Sequence, residues 1–187
     1  MKIICSKSSL LKSVSIALKA VPSKTTMPIL ECILMDATTN QIKFTTNDME
    51  LGIETIVDGT IEEKGKVALD AKIFYEIIRR LPDNDVTIKT DDKYAATITC
   101  EKAKFNIPGK SGEDFAYLPM IEKDEPLTIS QYTLKEMIRQ TIFSIAVNEN
   151  NKLMTGELFE IKNNCLKVVS LDGHRISIQI GRASCRE

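Results

Sequence analysis

Two short stretches of the sequence carry residue types that could do chemistry. One is Pro108-Gly109-Lys110-Ser111-Gly112, whose Gly-Lys-Ser run ends like a phosphate-binding loop. That loop needs a further glycine five residues before Gly109, and position 104 is a lysine. The loop should also open a helix, whereas residues 113–119 have the pattern of an irregular segment. The spacing therefore argues against nucleotide hydrolysis at Lys110 and Ser111.

The other stretch is Asp172-Gly173-His174-Arg175, which contains the single histidine of the chain. A lone histidine cannot build a multi-histidine metal site, and the cysteines are too scattered to complete one. As a catalytic base, His174 would need a nucleophile nearby, and no candidate stands out. A structural or surface role and a place in a binding pocket both stay open for it. We expect no metal, no cofactor and no intrinsic catalysis.

The composition predicts a cytoplasmic protein. The five cysteines are odd in number, widely spaced and without a C-x-x-C pair, which favours reduced, buried thiols. No stretch is apolar enough to span a bilayer, and the N-terminus lacks an apolar secretory core. A formal net charge of −1 still permits nucleic-acid binding if the charges are segregated by face.

Apolar spacing predicts helices and strands that together indicate an α+β fold. Apolar residues three and four apart predict helices at residues 6–21, 71–81 and 132–146. Alternating runs predict strands at residues 2–5, 29–35, 41–46, 51–57, 66–69, 86–90, 94–100, 103–107, 127–129, 157–162, 166–170 and 175–179. Residues 108–125 have the composition of a connector. We expect antiparallel sheets with the helices covering one face.

Residues 2–53 and 126–177 repeat one pattern without a gap. Leu10 and Leu134 set the register at an offset of 124, and Asp48 falls on Asp172. This spacing is too long for a solenoid repeat of roughly 20–50 residues, and it fits a tandem array of domains. We predict a domain at 1–125, an incomplete second domain at 126–179 and a non-native tail at 180–187. The chain is expected to be a piece of a longer protein.

Basic residues concentrate on the predicted helices, opposite their apolar stripes. Lys12 and Lys19 lie seven residues apart, roughly 10 Å along one helix face. Lys72 and Arg79 repeat that spacing on the second helix. On the third helix Lys135 and Arg139 are four apart, with the acidic Glu136 between them. The alternative interpretation is that these are only solvated helix faces.

Most acidic residues lie instead on the predicted strands and turns, so the charges are segregated. Such segregation suggests one surface that meets phosphates and another that does not. The helices lack the Asn, Gln and Arg clusters that read base edges, so any DNA contact should be independent of sequence.

Six segments together resemble the bacterial DNA sliding clamp family, the beta subunit of DNA polymerase III. The resemblance covers residues 1–179, and the segments occur in the family's order. They are residues 27–30 (MPIL), 44–50 (FTTNDME), 72–82 (KIFYEIIRRLP), 113–119 (EDFAYLP), 143–146 (FSIA) and 171–175 (LDGHR).

The resemblance implies a DNA-clamp fold of repeated domains, each with antiparallel sheets and two helices on the inner face. Two protomers would then form a homodimeric ring around double-stranded DNA, tethering the replicative polymerase without catalysis of their own. In addition to the helix cations, Lys24 and Asn148 match positions near DNA. Lys102, Lys104, Phe105 and Ile107 match the edge strand at the protomer joint. Burial there would stabilise the joint by about 1.5–3 kcal/mol for each apolar residue.

The resemblance also implies a pocket for short peptides with Gln, Leu and Phe anchors from polymerase, clamp loader and repair proteins. The positions that match the first half of this pocket are Met154, Leu171, Gly173, His174, Arg175 and Ile176. Asn151 and Lys152 depart from the Arg-Pro common in relatives. Because the other half and a third domain are absent, this polypeptide should neither close a ring nor complete the pocket.

Two other functional hypotheses stay open. One is a peptide-binding module that never contacts DNA and whose lysines serve only solubility. The other is a nucleotide-handling enzyme built around Lys110 and Ser111.

Overall fold

The structure, a computed structural model, describes residues 1–117, 127–147, 152–162, 165–182 and 184–185. The chain divides into two compact units, residues 1–120 and 121–187. The predicted boundary between residues 125 and 126 falls outside the described residues. Among the described residues, no helix has the length and apolar character needed to cross a membrane.

The first unit combines two antiparallel sheets with two helices. The helices are α1 (Lys7–Ala17) and α2 (Ala71–Arg80). The described strands are β1 (Lys2–Ser6), β2 (Cys32–Asp36), β3 (Ile42–Asn47), β4 (Gly52–Val57), β5 (Gly59–Glu63), β6 (Lys66–Asp70), β7 (Asp85–Thr90), β8 (Ala96–Cys100), β9 (Ala103–Ile107) and β10 (Gly109–Ser111). One sheet has the strand order β5-β1-β7-β8-β9 and the other β10-β6-β2-β3-β4. The predicted α+β class is confirmed.

Both helices begin where a side chain caps them. The Ser6 hydroxyl accepts a hydrogen bond from the Ser9 amide at the start of α1, and the Asp70 carboxylate accepts one from the Ile73 amide at the start of α2. A 3₁₀ turn, Leu18–Ala20, extends α1 before Pro22 prevents further helix.

The core of the first unit lies between the helices and both sheets. Leu10 and Val14 of α1 and Phe74 and Ile78 of α2 are fully buried in it. Phe74 meets Phe44 of β3 edge to face, with the ring centroids 6.0 Å apart. Because α1 and α2 contact each other and bury their apolar sides in one core, their outward sides form one surface.

The second unit repeats the beginning of the first. Its helix α3 (Gln131–Thr141) lies at the repeat offset from α1, and Ser130 caps it as Ser6 caps α1. The described strands are β11 (Leu127–Thr128), β12 (Leu158–Lys162), β13 (Cys165–Leu171), β14 (Ile176–Arg182) and β15 (Ser184–Cys185). Strands β12, β13 and β14 form one antiparallel sheet, and β11 pairs with β15. Met137, Leu166 and Val168 are buried between α3 and the larger sheet.

Several predicted elements differ from the structure. The predicted strand at 29–35 begins with a 3₁₀ turn, Pro28–Glu31, because proline has no N–H for a ladder. Strand β5 was not predicted, since Ile61 is its only apolar residue. The connector at 108–125 contains β10, which pairs with β6. Residues 180–182 continue β14, and the non-native origin of 180–187 stays a prediction.

Candidate functional site

Four lysines of the first unit present exposed cations. Lys12 lies on α1, Lys19 in its 3₁₀ extension, Lys24 in the segment that follows, and Lys72 at the start of α2, and all are exposed. Within the described residues, no carboxylate lies within ion-pair distance of any of them. The exposure of Lys12 on α1 and of Lys19 in its 3₁₀ extension agrees with the predicted helical spacing. Contact between these lysines and DNA stays a prediction.

The two arginines of the predicted DNA-contacting set are already paired. Arg79 Nη2 lies 2.7 Å from Glu76 Oε2, and Arg139 Nη2 lies 2.7 Å from Glu136 Oε2, one helical turn earlier in each case. Hydrogen bonding from Arg79 lowers the pKa of the Glu76 carboxyl, so that pair stays charged. These arginines therefore offer less net charge to an anion than the free lysines do.

The predicted DNA-contacting set also includes Lys135 and Asn148. Lys135 is exposed on α3 and, among the described residues, has no carboxylate partner. Asn148 lies outside the described residues.

Strand β9 forms an edge of its sheet, as the predicted protomer joint requires. Lys104 and Phe105 are exposed on β9, as is Lys102 in the turn before it, and Phe105 lines a groove of about 370 Å³ beside α2. Lys72 lines the same groove. It therefore lies beside the predicted joint, although it also belongs to the set of exposed lysines described above. Ile107 is only 2% exposed and packs in the core of its own unit. The energy expected from burying side chains at a joint therefore applies to Phe105 alone.

The turn between β13 and β14 brings five predicted pocket residues together. They line a shallow groove of about 370 Å³ and are Leu171, Gly173, His174, Arg175 and Ile176. The sixth, Met154, is partly buried, and its carbonyl accepts a hydrogen bond from the Ala146 amide. Met154 does not line this groove.

Asp172 organises this turn. One of its carboxylate oxygens, Oδ1, accepts hydrogen bonds from the backbone amides of His174 and Arg175, both at 3.0 Å. The other, Oδ2, accepts one from Arg175 Nε at 2.8 Å. The His174 amide, followed by Arg175, keeps the pKa of Asp172 below its usual range. Gly173 adopts a φ of 82°, which a glycine reaches without steric cost.

The Gly-Lys-Ser segment forms a strand, and the element that follows it is a single 3₁₀ turn, Gly112–Asp114. Residues 109–111 are extended and pair with β6 in an antiparallel ladder. Lys110 Nζ donates to the Pro28 carbonyl at 3.2 Å, and the Ser111 hydroxyl accepts a hydrogen bond from the Glu113 amide. This arrangement differs from the phosphate-cradling loop that the nucleotide-enzyme hypothesis needs.

Four of the five cysteines suit a packing role. Cys5, Cys32 and Cys100 are buried, and Cys165 is half-buried. Burial raises the pKa of the Cys5 thiol to about 12 and also raises the pKa values of Cys32 and Cys100. Within the described residues, no group of three or more histidine, cysteine or acidic side chains could hold a metal ion.

Sequence reasoning missed a segment that packs on the outer face of the second sheet. Phe115 is buried against Cys32, Leu34 and Ala68. The Asn47 side-chain amide donates to the Ala116 carbonyl, which ties the segment to β3. The aromatic residue within a Pro- and Gly-containing connector was the available signal.

The comparisons with known proteins agree with this architecture. A family profile described as "DNA polymerase III beta subunit, N-terminal domain" matches residues 1–119, and one described as "central domain" of the same subunit matches residues 128–186. The beta sliding clamp of Bacillus subtilis is 34% identical over 187 residues, which cover 96% of this chain and 50% of that protein. The Synechocystis beta sliding clamp is 33% identical, over 95% of this chain and 48% of that protein.

Two solved structures show the same fold. A DNA polymerase III beta subunit from Eubacterium rectale is 65% identical, with a TM-score of 0.88, over 99% of this chain and 52% of that one. The Bacillus subtilis sliding clamp is 32% identical, with a TM-score of 0.89, over 100% of this chain and 51% of that one.

The chain belongs to the bacterial DNA sliding clamp family, the beta subunits of DNA polymerase III, which are non-catalytic replication proteins. It spans about half the length of the curated relatives it matches. Its fold is the α+β clamp fold, with the first domain and part of the second. The recognition from six sequence segments is confirmed.

Proposed function

We propose that this chain forms half of a protomer of a DNA polymerase processivity clamp. In the whole protein, two protomers would surround duplex DNA in the cytoplasm and hold the replicative polymerase close to its template. Such a tether raises the effective concentration of the polymerase at the primer end and needs no catalytic residue.

The observation that carries the proposal is the set of exposed lysines Lys12, Lys19 and Lys24 on and after α1, for which the described part of the chain offers no carboxylate within ion-pair distance. Unpaired ammonium groups attract phosphates without reading bases, and they release counterions when they do so. In a ring, such contacts would be exchanged from one phosphate to the next, which permits sliding.

The groove at 171–176 supports a second part of the proposal. Leu171 and Ile176 supply apolar walls, and the turn supplies exposed polar groups. We infer that it receives one end of the short Gln, Leu and Phe peptides by which polymerase, clamp loader and repair proteins attach. A protein that bound such peptides but ignored DNA would be the interaction module of the alternative hypothesis.

A chimera tests the proposal. This chain would replace the corresponding half of the Bacillus subtilis clamp, and retention on nicked circular DNA would be measured after loading. We expect Lys12→Glu, Lys19→Glu and Lys24→Glu together to reduce retention at least tenfold, because the phosphate contacts become repulsive.

The matched control reverses three exposed lysines of the strands and turns, Lys64, Lys89 and Lys93. It changes the net charge by the same amount and should leave retention nearly unchanged. Equal losses in both triple variants, or no loss in either, would contradict the proposed DNA contact.

A further inference from the structure

A short strap covers part of the outer face of the second sheet in the first unit. It consists of residues 112–117, which begin with the 3₁₀ turn Gly112–Asp114 directly after β10. Of the strap's side chains only Phe115 is buried, at 3% exposure. The slot that receives Phe115 is formed by Cys32, Leu34 and Ala68. A single apolar side chain therefore anchors the strap.

Two residues of the sheet hold the strap by polar contacts. The buried Asn47 of β3 donates from its side-chain amide to the Ala116 carbonyl. Lys66 of β6 places Nζ 3.6 Å from Glu113 Oε1 and 5.3 Å from the centroid of the Tyr117 ring. Hydrogen bonding to Tyr117 raises the pKa of Lys66, so its ammonium stays charged at neutral pH. Because Glu113 and Tyr117 are exposed, water reaches both contacts of Lys66.

The second unit has an apolar residue at the same place in its sheet. At the repeat offset of 124, Leu158 corresponds to Leu34, and the counterpart of the strap would lie beyond residue 187. Leu158 is 62% exposed, whereas Leu34 is 1% exposed. Leu171 stands at the position from which Asn47 holds the strap. An apolar position that both units share is thus covered in the first unit, where the strap forms part of the cover.

The strap is held less firmly than the core on the other side of the sheet. One buried ring and a few polar contacts oppose the conformational freedom that its six residues would regain on release. In the core of the same unit, two helices and both sheets bury their apolar sides together. Segments with few buried contacts open locally at a lower free-energy cost than global unfolding.

We propose that the strap opens and closes while the rest of the first unit stays folded, with Asn47 and Lys66 as the residues that hold it closed. Opening uncovers the slot at Cys32 and frees residues 112–117, which adds roughly 20 Å of extended chain to the free part of the connector. The strap therefore sets how much free chain follows the first unit. This inference concerns the first unit alone and does not depend on contact with DNA or with a peptide.

Thiol labelling reports the opening, because the closed strap covers Cys32. This 187-residue chain would be treated with dilute N-ethylmaleimide at several urea concentrations below its unfolding transition, and labelling of each cysteine would be quantified by mass spectrometry. Cys5 and Cys100 lie in the core of the same unit and report its global unfolding. We expect Cys32 to react at least tenfold faster than either, with a weaker dependence on urea.

Variants at the two holding residues show whether the strap is what covers the thiol. Asn47→Asp keeps the size of the side chain but removes the donor to Ala116, and it should raise the Cys32 labelling rate about fivefold. Lys66→Met keeps the aliphatic stem without the ammonium and should raise the same rate about threefold.

Two control variants separate opening of the strap from a general loss of stability. Lys43→Met removes another ion-paired lysine of the same sheet, whose partner is Glu54, and should leave the Cys32 rate unchanged. Ile88→Val removes a buried methyl group from the core on β7. It should speed labelling of Cys5 at least twofold and leave Cys32 unchanged, because the contacts of Ile88 persist when the strap opens.

Three results would overturn the proposal. The first is equal labelling of the three buried cysteines at every urea concentration, because the strap would then open only with the whole unit. The second is a Cys32 rate that neither Asn47→Asp nor Lys66→Met changes, because another route would then expose the thiol. The third is a Cys32 rate that rises together with that of Cys5 in Ile88→Val.

Discussion

The first helix of each unit is joined to the sheet by the same buried hydrogen bond. In the first unit the Thr46 hydroxyl donates to the Ala17 carbonyl, and in the second the Ser170 hydroxyl donates to the Thr141 carbonyl. Both residues of each pair are related by the repeat offset. The aspartate turns that follow, at Asp48 and Asp172, correspond in the same way.

The exposed surfaces of the two units differ, although the units share this hydrogen bond and this turn. Lys12 of α1 corresponds to Glu136 of α3, so an exposed cation in one unit is an ion-paired acid in the other. Leu51 corresponds to Arg175 in the matching turns. Burial and internal hydrogen bonds fix the fold, whereas exposed positions are free to change. The role of each surface must therefore be argued separately for each unit.

The largest expected effect concerns a matched pair of core residues. Phe44 and Val168 occupy the same place in the repeat, and both are fully buried. Phe44→Ala should lower the unfolding free energy of the first unit by about 3–5 kcal/mol, because it leaves a large cavity. Val168→Ala removes less side-chain volume and should cost the second unit about 2 kcal/mol.

Hydrogen exchange read separately in each unit measures both losses. The exposed Ile56→Ala serves as a control and should change stability by no more than about 0.5 kcal/mol. Equal losses for Phe44→Ala and Val168→Ala would show that the two cores are not packed as described.

A smaller and more symmetrical effect is expected from the shared hydrogen bond. Thr46→Val and Ser170→Ala each remove a buried hydroxyl donor from a helix-end carbonyl and should each cost about 1–2 kcal/mol. Denaturant titrations of the two variants, compared with the unchanged chain, measure this. If one substitution lowered the unfolding free energy and the other did not, the hydrogen bonds that join helix to sheet would not be equivalent in the two units.

The smallest expected change in stability should have opposite signs in the two units. Met49 has a φ of 76° at the position where Gly173 has 82°. Gly173→Ala should destabilise the second unit by about 1 kcal/mol, because a side chain is strained in this conformation. Met49→Gly relieves the same strain and should stabilise the first unit by up to about 1 kcal/mol. Thermal unfolding compares them, and a stabilising Gly173→Ala would contradict the assigned turn geometry.

The sequence was sufficient to predict the elements that the two units share, because those elements follow a periodic pattern of apolar residues. The offset of 124 aligns α1 with α3 residue for residue, together with the 3₁₀ turns that follow them. The exposed positions of Lys12 and Lys19 followed from helical spacing alone. The groove residues at 171–176 came from the family resemblance, since residue spacing could not show that they line one surface.

What the sequence did not show depends on contacts between distant residues. Strand β5 exists because it pairs with β1, and a side chain at Gly59 would clash with Cys5 Sγ and the Ile4 carbonyl. The packing of Phe115 on the second sheet likewise joins residues far apart in the chain. The Glu76–Arg79 ion pair was different, because its three-residue spacing was visible in the sequence and was overlooked.

Salt-dependent binding of this chain to duplex DNA tests the central claim most directly. Fluorescence anisotropy would be measured with two 30-base-pair duplexes of unrelated sequence, between 50 and 200 mM salt. The unchanged chain would be compared with the triple variant Lys12→Glu, Lys19→Glu and Lys24→Glu. We expect equal affinities for both sequences, a linear fall of log K with log salt, and a shallower slope in the variant. A preference for one sequence, or a slope that the three substitutions leave unchanged, would contradict a clamp surface that meets phosphates without reading bases.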